Sequence, residues 1–579
     1  MRNGGTLNHQ SIVSFIWAVA DLLRGDYKQH EYGDIILPFT VLRRLDCVLA
    51  GTKEQVLAAN AATAGMVASI ADTQLKSASG LPFYNTSKYT MDRLRVDADN
   101  IAANLSDYVR GFSPDALDVF EKFDFFSRID SLQSNNLLFA IVDKFCTVDL
   151  GPESVSDVEM GNIYENLLRR FSEMSNETAG EHFSPRDGVE LAVDLLIAGA
   201  SADLSKPGKV VNVYDPCAGT GGALSIFKDR VNEYYPNADV YCYGQELNAA
   251  TFATCKADML LRGGDAGNIA FGNTLTEPAF PDVQFGYQVS NPPYGVDWKK
   301  SKSVVEAEYK NEGFKGRFGA GLPRVSDGQL LFIEHMVSKM RPVKDGGARI
   351  AVFMNGSPLF TGAAGSGESD IRKWLLHDLD LVEAIVAMPN DFFYNTGIAT
   401  YIWVLNNNKP AERRRKVQLI NANGVFTKMR KSLGSKRNEL SAEQIRAIVQ
   451  EYNAFEETKT SKIFDVDDFG YTTVTVERPL RDENGKVVTD RKGNPKPDSS
   501  LRDTENIPLK QDIDEYFERE VKPYAPDAWM DRKKDKVGYE IPFTRYFYEY
   551  TPLRPSSAIL DGIRSLEASI ADSLAKVGL

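Results

Sequence analysis

The chain has 579 residues, of which 43% are hydrophobic and 25% are charged. These fractions are ordinary for a globular protein and exclude a disordered chain, a collagen-like repeat or a coiled-coil rod as a global description. The length allows about three to five domains. Acidic residues outnumber basic residues by 80 to 67, which gives a formal net charge of −13. A chain this acidic is not a general nucleic-acid coat, so contact with a nucleic acid would need a local basic patch or a basic partner.

The cysteines and histidines predict neither a disulfide framework nor a metal site. There are five of each, and no two cysteines have the Cys-x-x-Cys spacing that is typical of metal ligands. The N-terminus carries no apolar signal segment, and no run approaches the 18 or so apolar residues that would span a membrane. We therefore expect a protein of the reducing cytoplasm with no membrane contact.

The first two regions of the chain differ in their hydrophobic pattern. Residues 1–155 are predicted to form a helical domain, because apolar residues from Ile12 to Leu23 recur at helical spacing. Residues 156–420 are predicted to form an α/β domain with a largely parallel sheet, since short apolar runs alternate there with helix-length intervals. The predicted strands are 210–214, 240–243, 287–290, 350–353, 381–386 and 400–405.

Residues 421–579 form a third region that is more polar and mixed. The stretch 482–498 contains the turn signals Asn484-Gly485 and Lys492-Gly493-Asn494, so it is predicted to be an exposed hairpin or loop. A terminal helix is predicted from an apolar stripe, which could pack either on a partner helix or on its own chain. The stripe consists of Ile559, Ile563, Leu566, Ile570, Leu574 and Val577.

The first predicted strand leads into the glycine-rich turn Asp215-Pro216-Cys217-Ala218-Gly219-Thr220-Gly221-Gly222. Glycines let a ligand approach the backbone, and the following helix begins with free N–H donors. Leu224 departs from the dinucleotide fingerprint, and Asp215 would repel a pyrophosphate but could accept from a ligand amine. Glu246, at the end of the second strand, suits the hydroxyls of a ribose. S-adenosylmethionine, an adenosine with an amino-acid tail, fits better than NAD; an ordinary tight turn is the alternative.

The strand 287–290 is followed by Asn291, Pro292, Pro293 and Tyr294. Ligands of open α/β sheets sit beyond the carboxyl ends of the strands, where this tetrapeptide lies. An adenine amine is a weak nucleophile because its lone pair is delocalised into the ring. The Asn291 side-chain carbonyl and the Pro292 backbone carbonyl could each accept one of its N–H bonds, while the prolines fix the backbone. Tyr294 offers a ring for stacking. A proline-rich strand exit with no catalytic role is the alternative interpretation.

Asp215–Gly222 together with Asn291–Tyr294 resembles the amino methyltransferases that modify adenine in DNA. Residues 180–186 resemble their upstream cofactor segment, with Ser184 in place of the usual Thr. Further segments resemble the modification subunit of type I restriction–modification systems, and this likeness covers about residues 10–555. The segments are 32–39, 42–46, 161–165, 326–329, 355–360 and 393–400.

The resemblance implies a helical N-terminal domain, a Rossmann-like methyltransferase domain and a C-terminal tail that docks partners. It implies S-adenosylmethionine as cofactor, Asn291–Tyr294 as the catalytic tetrapeptide, and double-stranded DNA as substrate. It also implies three protein partners: a specificity subunit that reads the DNA sequence, a second copy of the methyltransferase subunit, and a restriction subunit. The implied cofactor-binding residues are Glu181, His182, Phe183, Ser184, Pro185, Arg186, Asp215, Gly219, Thr220, Gly221, Gly222, Glu246 and Asn273.

Two other functions fit part of the pattern. Glutamine-directed protein methyltransferases share the logic of the tetrapeptide, and a non-catalytic scaffold could retain the fold. Two basic stretches, 299–324 and 409–437, could contact DNA phosphates or be solvated faces. The first of them, which contains four glycines, is predicted to be a mobile loop beside the tetrapeptide.

Overall fold

The computed structural model of the protein describes residues 9–175, 184–394, 397–433, 435–548 and 555–576. The chain divides into two compact units, Met1–Ile541 and Pro542–Leu579.

The first unit begins with the helical layer that the sequence predicts. Its apolar faces share one core, which includes Phe39, Phe120, Phe125 and Phe145. The helices are α1 (His9–Leu23), α2 (Tyr32–Leu49), α3 (Lys53–Ala62), α4 (Ala68–Ser79), α5 (Met91–Leu94), α6 (Ile101–Arg110), α7 (Pro114–Lys122), α8 (Phe125–Ser134), α9 (Leu138–Cys146) and α10 (Asp157–Ser175).

A nine-stranded sheet follows within the described residues, and it contains all six strands predicted from the apolar runs. Its order is β11-β8-β6-β7-β5-β4-β1-β2-β3. The strands are β1 (Lys209–Asp215), β2 (Ala238–Glu246), β3 (Ile269–Phe271), β4 (Tyr287–Ser290), β5 (Arg349–Asn355), β6 (Val382–Ala387), β7 (Thr400–Asn406), β8 (Lys416–Asn421) and β11 (Ser461–Asp465). Between β8 and β11 a separate two-stranded ribbon pairs β9 (Thr427–Leu433) with β10 (Lys436–Glu439).

The sheet is parallel from β3 through β5, and β7 is then inserted antiparallel between β5 and β6. The antiparallel insertion was not foreseen from sequence, because a buried strand is an apolar run whichever way it points. The parallel half brings the carboxyl ends of β1, β2 and β4 to one edge, where ligands of such sheets bind. The Rossmann-like prediction is confirmed. Because β11 pairs with β8, the sheet continues beyond residue 420.

The helices around the sheet are α11 (Arg186–Ile197), α12 (Ser201–Leu204), α13 (Gly222–Tyr234), α14 (Ala249–Leu261), α15 (Lys302–Glu312), α16 (Gln329–Ser338), α17 (Ser357–Phe360), α18 (Gly367–Lys373) and α19 (Ala442–Ala454). Every residue of helix α14 from Thr251 to Leu261 is buried. One side packs into the sheet core through Phe252 and Met259, and the other side packs into the helical-layer core through Ala257 and Leu260. A helix that is buried all round is typical of a wall shared by two cores.

The remainder of the first unit contains a smaller antiparallel sheet. In it β12 (Gly470–Glu477) pairs with β13 (Asp503–Pro508), β14 (Trp529–Met530) and β15 (Lys536–Tyr539), and α20 (Ile513–Tyr516) lies between β13 and β14 in the chain. Residues 482–498 form the exposed hairpin that the turn signals predict, with bridges at Arg481–Val487 and Thr489–Pro495.

The second unit contains α21 (Phe543–Tyr546) and α22 (Ser556–Lys576). The predicted terminal helix is therefore present. Its apolar stripe is exposed where the side chains are described, at Ile559, Ile563, Leu566 and Ile570. The side chain of Leu574, and Val577 as a whole, lie outside the described residues.

Gly161 on α10 lets that helix approach the end of α14. A Cβ built at Gly161 would lie 2.2 Å from the Arg262 guanidinium carbon, and this guanidinium is held by Asp258 and Asp229. Gly161→Ala should therefore lower the free energy of unfolding by about 1–3 kcal/mol, although alanine favours a helix. Urea unfolding measures this change. Gly562→Ala is the matched control, because Gly562 lies in an exposed helix with open space around the Cβ, and it should not lower the free energy of unfolding. The packing argument is contradicted if Gly161→Ala is as stable as Gly562→Ala.

Candidate active site

A cavity of about 810 Å³ opens at the edge where β1, β2 and β4 end. Its wall includes residues of the glycine-rich turn 215–222, the carboxylate predicted to bind a ribose, and the predicted catalytic tetrapeptide. The site residues predicted from sequence that line it are Ser184, Arg186, Asp215, Gly219, Thr220, Gly222, Glu246, Asn273, Asn291, Pro292, Pro293 and Tyr294. Glu181, His182 and Phe183 lie outside the described residues. Two further residues, Pro185 and Gly221, are not on the wall but lie immediately before α11 and α13.

The glycine turn is fixed by close contacts on both sides. Gly221 has a φ of +85°, and a Cβ at this position would lie 2.8 Å from the Cys255 sulfur. A side chain here would therefore be strained both by its backbone conformation and by α14. Gly219, with a φ of +54°, donates its N–H to Glu246 at 2.8 Å. The turn after β1 is thus bound to the end of β2, and the start of α13 faces the cavity.

Glu246 is half-buried on the cavity wall. One carboxylate oxygen accepts from the Gly219 N–H, and the other accepts from the Asn248 N–H at 2.7 Å. Asn248 in turn caps α14 by accepting from the N–H groups of Ala250 and Thr251. Because each carboxylate oxygen has more than one lone pair, Glu246 is held in place and can still accept from two neighbouring hydroxyls of a ligand.

Asp215 is 2% exposed at the floor of the cavity. One of its oxygens accepts from the Cys217 N–H at 2.9 Å and from the Ser290 hydroxyl at 2.7 Å. Burial raises the pKa of this carboxyl to about 7, and the nearby Glu246 adds to the rise. A cation brought against Asp215 would favour its charged form, so the carboxyl is suited to a ligand ammonium.

The tetrapeptide forms a small hydrogen-bonded group. The Asn291 side-chain N–H₂ donates to the Ser184 hydroxyl at 2.8 Å, and the Asn291 side-chain carbonyl accepts from the Tyr294 hydroxyl. Burial raises the pKa of Tyr294, so the phenol stays protonated and acts as a donor. Ser184 thus holds the N–H₂ end of the Asn291 amide, so that the carbonyl end points away from Ser184. Through this contact the segment before α11 touches the tetrapeptide directly.

Asn273 also lies on the cavity wall. Its side-chain carbonyl accepts from the Leu275 N–H at 2.9 Å, and its amide donates to the Ser301 hydroxyl at 3.1 Å. The side chain is therefore positioned by protein contacts on both sides.

Several wall residues were not chosen from sequence as site residues. Glu165 reaches the cavity from α10 and forms an ion pair with Arg186 at 2.8 Å. Phe393 lies against the tetrapeptide, with its ring edge-on to Tyr294 at 6.2 Å. Both residues fall within segments quoted for the family resemblance, 161–165 and 393–400, which was the signal that could have marked them. Asn395 and Thr396 of the latter segment lie outside the described residues.

The basic stretch 299–324 is only partly a loop, which corrects the sequence prediction. Residues 302–312 form α15 and residues 316–324 are irregular. Val305 and Phe318 pack with Trp298 in a small core of their own. Arg317 is fixed by an ion pair with Glu308 at 2.6 Å and by carbonyl contacts. The alternation of glycine and lysine suggested a loop, but the few apolar residues between them are enough to order the segment.

The basic stretch 409–437 contains both buried and exposed cations. Lys409 and Lys436 are buried and paired with Asp380 and Asp187, so these cations serve the fold. The cations that remain exposed on β9 and β10 are Lys428, Arg430, Lys431 and Arg437.

Comparison with known proteins identifies the family. The model of the family described as N-6 DNA Methylase matches residues 155–479, more than half of the chain, and the model of the HsdM N-terminal domain matches residues 12–145. The chain belongs to the N-6 DNA methylase family. It is an adenine-specific DNA methyltransferase, and the resemblance to type I modification subunits that its motifs predict is confirmed.

Curated relatives of this methylase are subunits of type I restriction enzymes. The MjaIX methylase subunit from Methanocaldococcus jannaschii is 26% identical over 492 residues, which cover 82% of each protein. The MpnII methylase subunit from Mycoplasma pneumoniae is 30% identical over 311 residues, which cover 51% of this chain and 52% of that protein.

Solved structures share the fold of the methylase. The methyltransferase subunit of a type I restriction-modification system from Streptococcus thermophilus has a TM-score of 0.62 at 21% identity, covering 79% of this chain and 96% of that chain. A chain from a study of complex assembly and conformational transition of the type I R-M system has a TM-score of 0.50 at 17% identity, covering 99% of this chain and 98% of that chain.

Among the described residues, no helix has the length and apolar character needed to cross a membrane.

Burial of Asp215 should make the stability of the methylase depend on pH. The pKa of this carboxyl is 3.8 in its ordinary state and about 7 in the fold, so the folded chain holds one extra proton between these values. The contribution of Asp215 to stability is therefore greatest on the acid side and falls by about 4 kcal/mol as the pH rises through this window. The Asp215→Asn side chain cannot ionise. The unfolding free energy of the variant minus that of the wild type should therefore increase by about 4 kcal/mol as the pH rises through this window. Urea unfolding at about pH 4 and pH 8 measures the shift; a difference independent of pH would contradict it.

Proposed function

We propose that the methylase transfers a methyl group from S-adenosylmethionine to the N6 amine of an adenine that has left the stack of double-stranded DNA. The single observation that carries the proposal is the Asn291 amide, which Ser184 orients on the wall of the cavity that Asp215 and Glu246 also line. A carbonyl acceptor and two carboxylates thus line one cavity. The carbonyl suits an amine substrate, and the carboxylates suit the ammonium and the hydroxyls of a zwitterionic nucleoside.

The residues of the cavity fit S-adenosylmethionine. Glu246 would hold the ribose hydroxyls, and Asp215 would accept from the α-ammonium group. Asn273, which can both donate and accept, lies where it could contact the adenine ring. Ser184 and Arg186, together with the N–H groups at the start of α13, would bind the carboxylate end. When bound, this cofactor supplies an electrophilic methyl group on its sulfonium sulfur.

The tetrapeptide would activate the target amine. The Asn291 side-chain carbonyl and the Pro292 backbone carbonyl would accept the two N–H bonds of adenine N6. These contacts draw the nitrogen towards tetrahedral geometry and free its lone pair for attack. After transfer, the amine loses one proton. No side chain of the tetrapeptide needs to be a strong base, because the proton becomes acidic once the nitrogen carries the methyl group.

The Tyr294 hydroxyl occupies the acceptor that the adenine amine requires. Entry of the base would displace this hydroxyl and exchange one hydrogen bond to Asn291 for another. The Tyr294 ring would then be available for stacking, with Phe393 beside it. Extracting a base from duplex DNA costs a few kcal/mol, which stacking of this kind helps to offset.

We further propose that the methylase works in a complex. Its relatives are subunits of type I restriction enzymes, and a solved relative comes from a study of the assembly of a type I system. The expected partners are a specificity subunit that reads the DNA, a second copy of this chain and a restriction subunit. A net charge of −13 is consistent with another subunit supplying most of the DNA affinity.

The domain organisation and the location also remain proposals. The predicted domains are 1–155, 156–420 and 421–579, and the predicted site of action is the cytoplasm, where bacterial and archaeal DNA is found.

Replacing Asn291 by Ala should abolish methyl transfer and leave cofactor binding within about threefold, since Asn291 is assigned to the target amine. The test is methylome sequencing of a host that expresses the chain with its neighbouring specificity gene. N6-methyladenine in a bipartite motif is expected for the wild type, and none is expected for the variant. Calorimetry with S-adenosylhomocysteine provides the control for folding. Persistent methylation in the variant would overturn the role of Asn291, and no methylation by a soluble wild-type complex would overturn the proposed substrate.

Ser184 should act as a positioning residue for Asn291. Ser184→Ala removes one hydrogen bond worth about 1–1.5 kcal/mol, so kcat should fall roughly tenfold. Ser184→Thr keeps the hydroxyl and should retain most of the rate. Single-turnover transfer at saturating cofactor and DNA separates this effect from cofactor affinity. A wild-type rate for Ser184→Ala under these conditions would show that the contact with Asn291 does not orient the amide.

A further inference from the structure

The ribbon formed by β9 and β10 presents a cluster of exposed cations. We call Lys428, Arg430, Lys431 and Arg437 the ribbon cations. All four are exposed, and in the described part of the chain none of them forms an ion pair. Glu439 is an exposed carboxylate on the same ribbon. A positive cluster in a chain with a net charge of −13 is a local exception to the charge of the protein.

Strand β10 and the turn before it are hydrogen-bonded to the segment that carries Phe393. The backbone N–H of Arg437 donates to the Asp391 carbonyl at 2.8 Å, and the Asn438 side chain donates to the Asn390 carbonyl at 2.7 Å. The Ser435 N–H donates to the Tyr394 carbonyl at 2.8 Å. The ribbon therefore stands directly on the loop that forms the aromatic side of the target-amine site.

A buried cation also holds the start of β10. The Lys436 ammonium lies 3.7 Å from the centre of the Phe392 ring and 3.1 Å from the Asp187 carboxylate. Asp187 also accepts from the Leu440 N–H at 2.8 Å, so α11 and both ends of β10 are joined. The exposed cations are thus carried by a ribbon whose strand β10 is held at both ends.

We propose that the ribbon cations contact the phosphate backbone of the DNA duplex next to the adenine that enters the cavity. The inference rests on the proposed function and adds the surface on which the substrate lies. A base that reaches Asn291 brings its flanking phosphates to the rim of the cavity, where the ribbon stands. Lys428 is paired with Asn438, and Arg430 and Lys431 follow it in the irregular part of β9 before the pair Leu433–Lys436. These three cations therefore lie within four consecutive exposed or half-buried residues. Lysine and arginine contacts of this kind fix the position of a duplex without reading its sequence.

The test is the triple variant Lys428→Gln, Arg430→Gln and Lys431→Gln in the full chain, assembled with its specificity subunit. Binding of a duplex that contains the methylation site is measured between about 50 and 200 mM salt. Each lost phosphate contact lowers the slope of log affinity against log salt by about 0.9, so a decrease of about two to three is expected. The KM for DNA should rise, while single-turnover transfer at saturating DNA stays at the wild-type rate.

The matched control is the triple variant Lys486→Gln, Arg491→Gln and Lys492→Gln in the exposed hairpin 482–498. It removes the same charge from exposed positions and should leave the slope unchanged. A slope in the ribbon variant equal to the wild type, or an equal decrease in both variants, overturns the inference. Failure of the proposed function is a different outcome: the wild-type complex would then transfer no methyl group to DNA. The dependence of DNA binding on salt would still decide whether the ribbon cations contact phosphates.

Discussion

The site depends on hydrogen bonds that join the carboxyl ends of β1, β2 and β4. The turn after β1 donates from Ala218 and Gly219 to the end of β2, and Ser290 at the end of β4 donates to Asp215 at the end of β1. The carboxylates in these contacts, Glu246 and Asp215, are also the groups that face the cavity. The same interactions therefore close the edge of the sheet and set the positions of the ligand-binding oxygens, so a change in one alters the other.

A second dependence runs through α14, which is packed on all sides. Its Lys256 is buried and paired with Asp115 and Asp118 on α7, while Cys255 on another face lies against the glycine turn. Helix α10 packs on the end of α14 and also brings Glu165 to the cavity wall. The helical layer is thus part of the structure that shapes the candidate site, and its contacts reach both the turn and Arg186.

The sequence predicted the parts of this protein whose signal is local. Buried strands are apolar runs, so the six predicted strands are present, and the glycine turn and tetrapeptide lie at strand ends as expected. The parts that depend on partners distant in sequence were not predictable. Nothing near Lys409 or Lys436 shows that each is buried against a carboxylate, 29 residues away for Lys409 and 249 residues away for Lys436. The helix α15 was missed because its glycine-rich and lysine-rich surroundings carry the statistics of a loop, while the packing of Val305 on Trp298 is set by tertiary structure.

The resting arrangement of Asn291 has an energetic consequence for base entry. A polar acceptor at a half-buried site is costly to leave unpaired, at about 1–3 kcal/mol, and the Tyr294 hydroxyl satisfies it. Entry of an adenine amine then exchanges one donor for another, so the hydrogen bond to Asn291 contributes little net affinity for the ground-state base. The cost of extracting the base must be offset elsewhere, by the aromatic side of the cavity and by contacts to the DNA backbone. The catalytic contact itself is left to act where the amine becomes tetrahedral, which is the condition under which binding energy lowers a barrier.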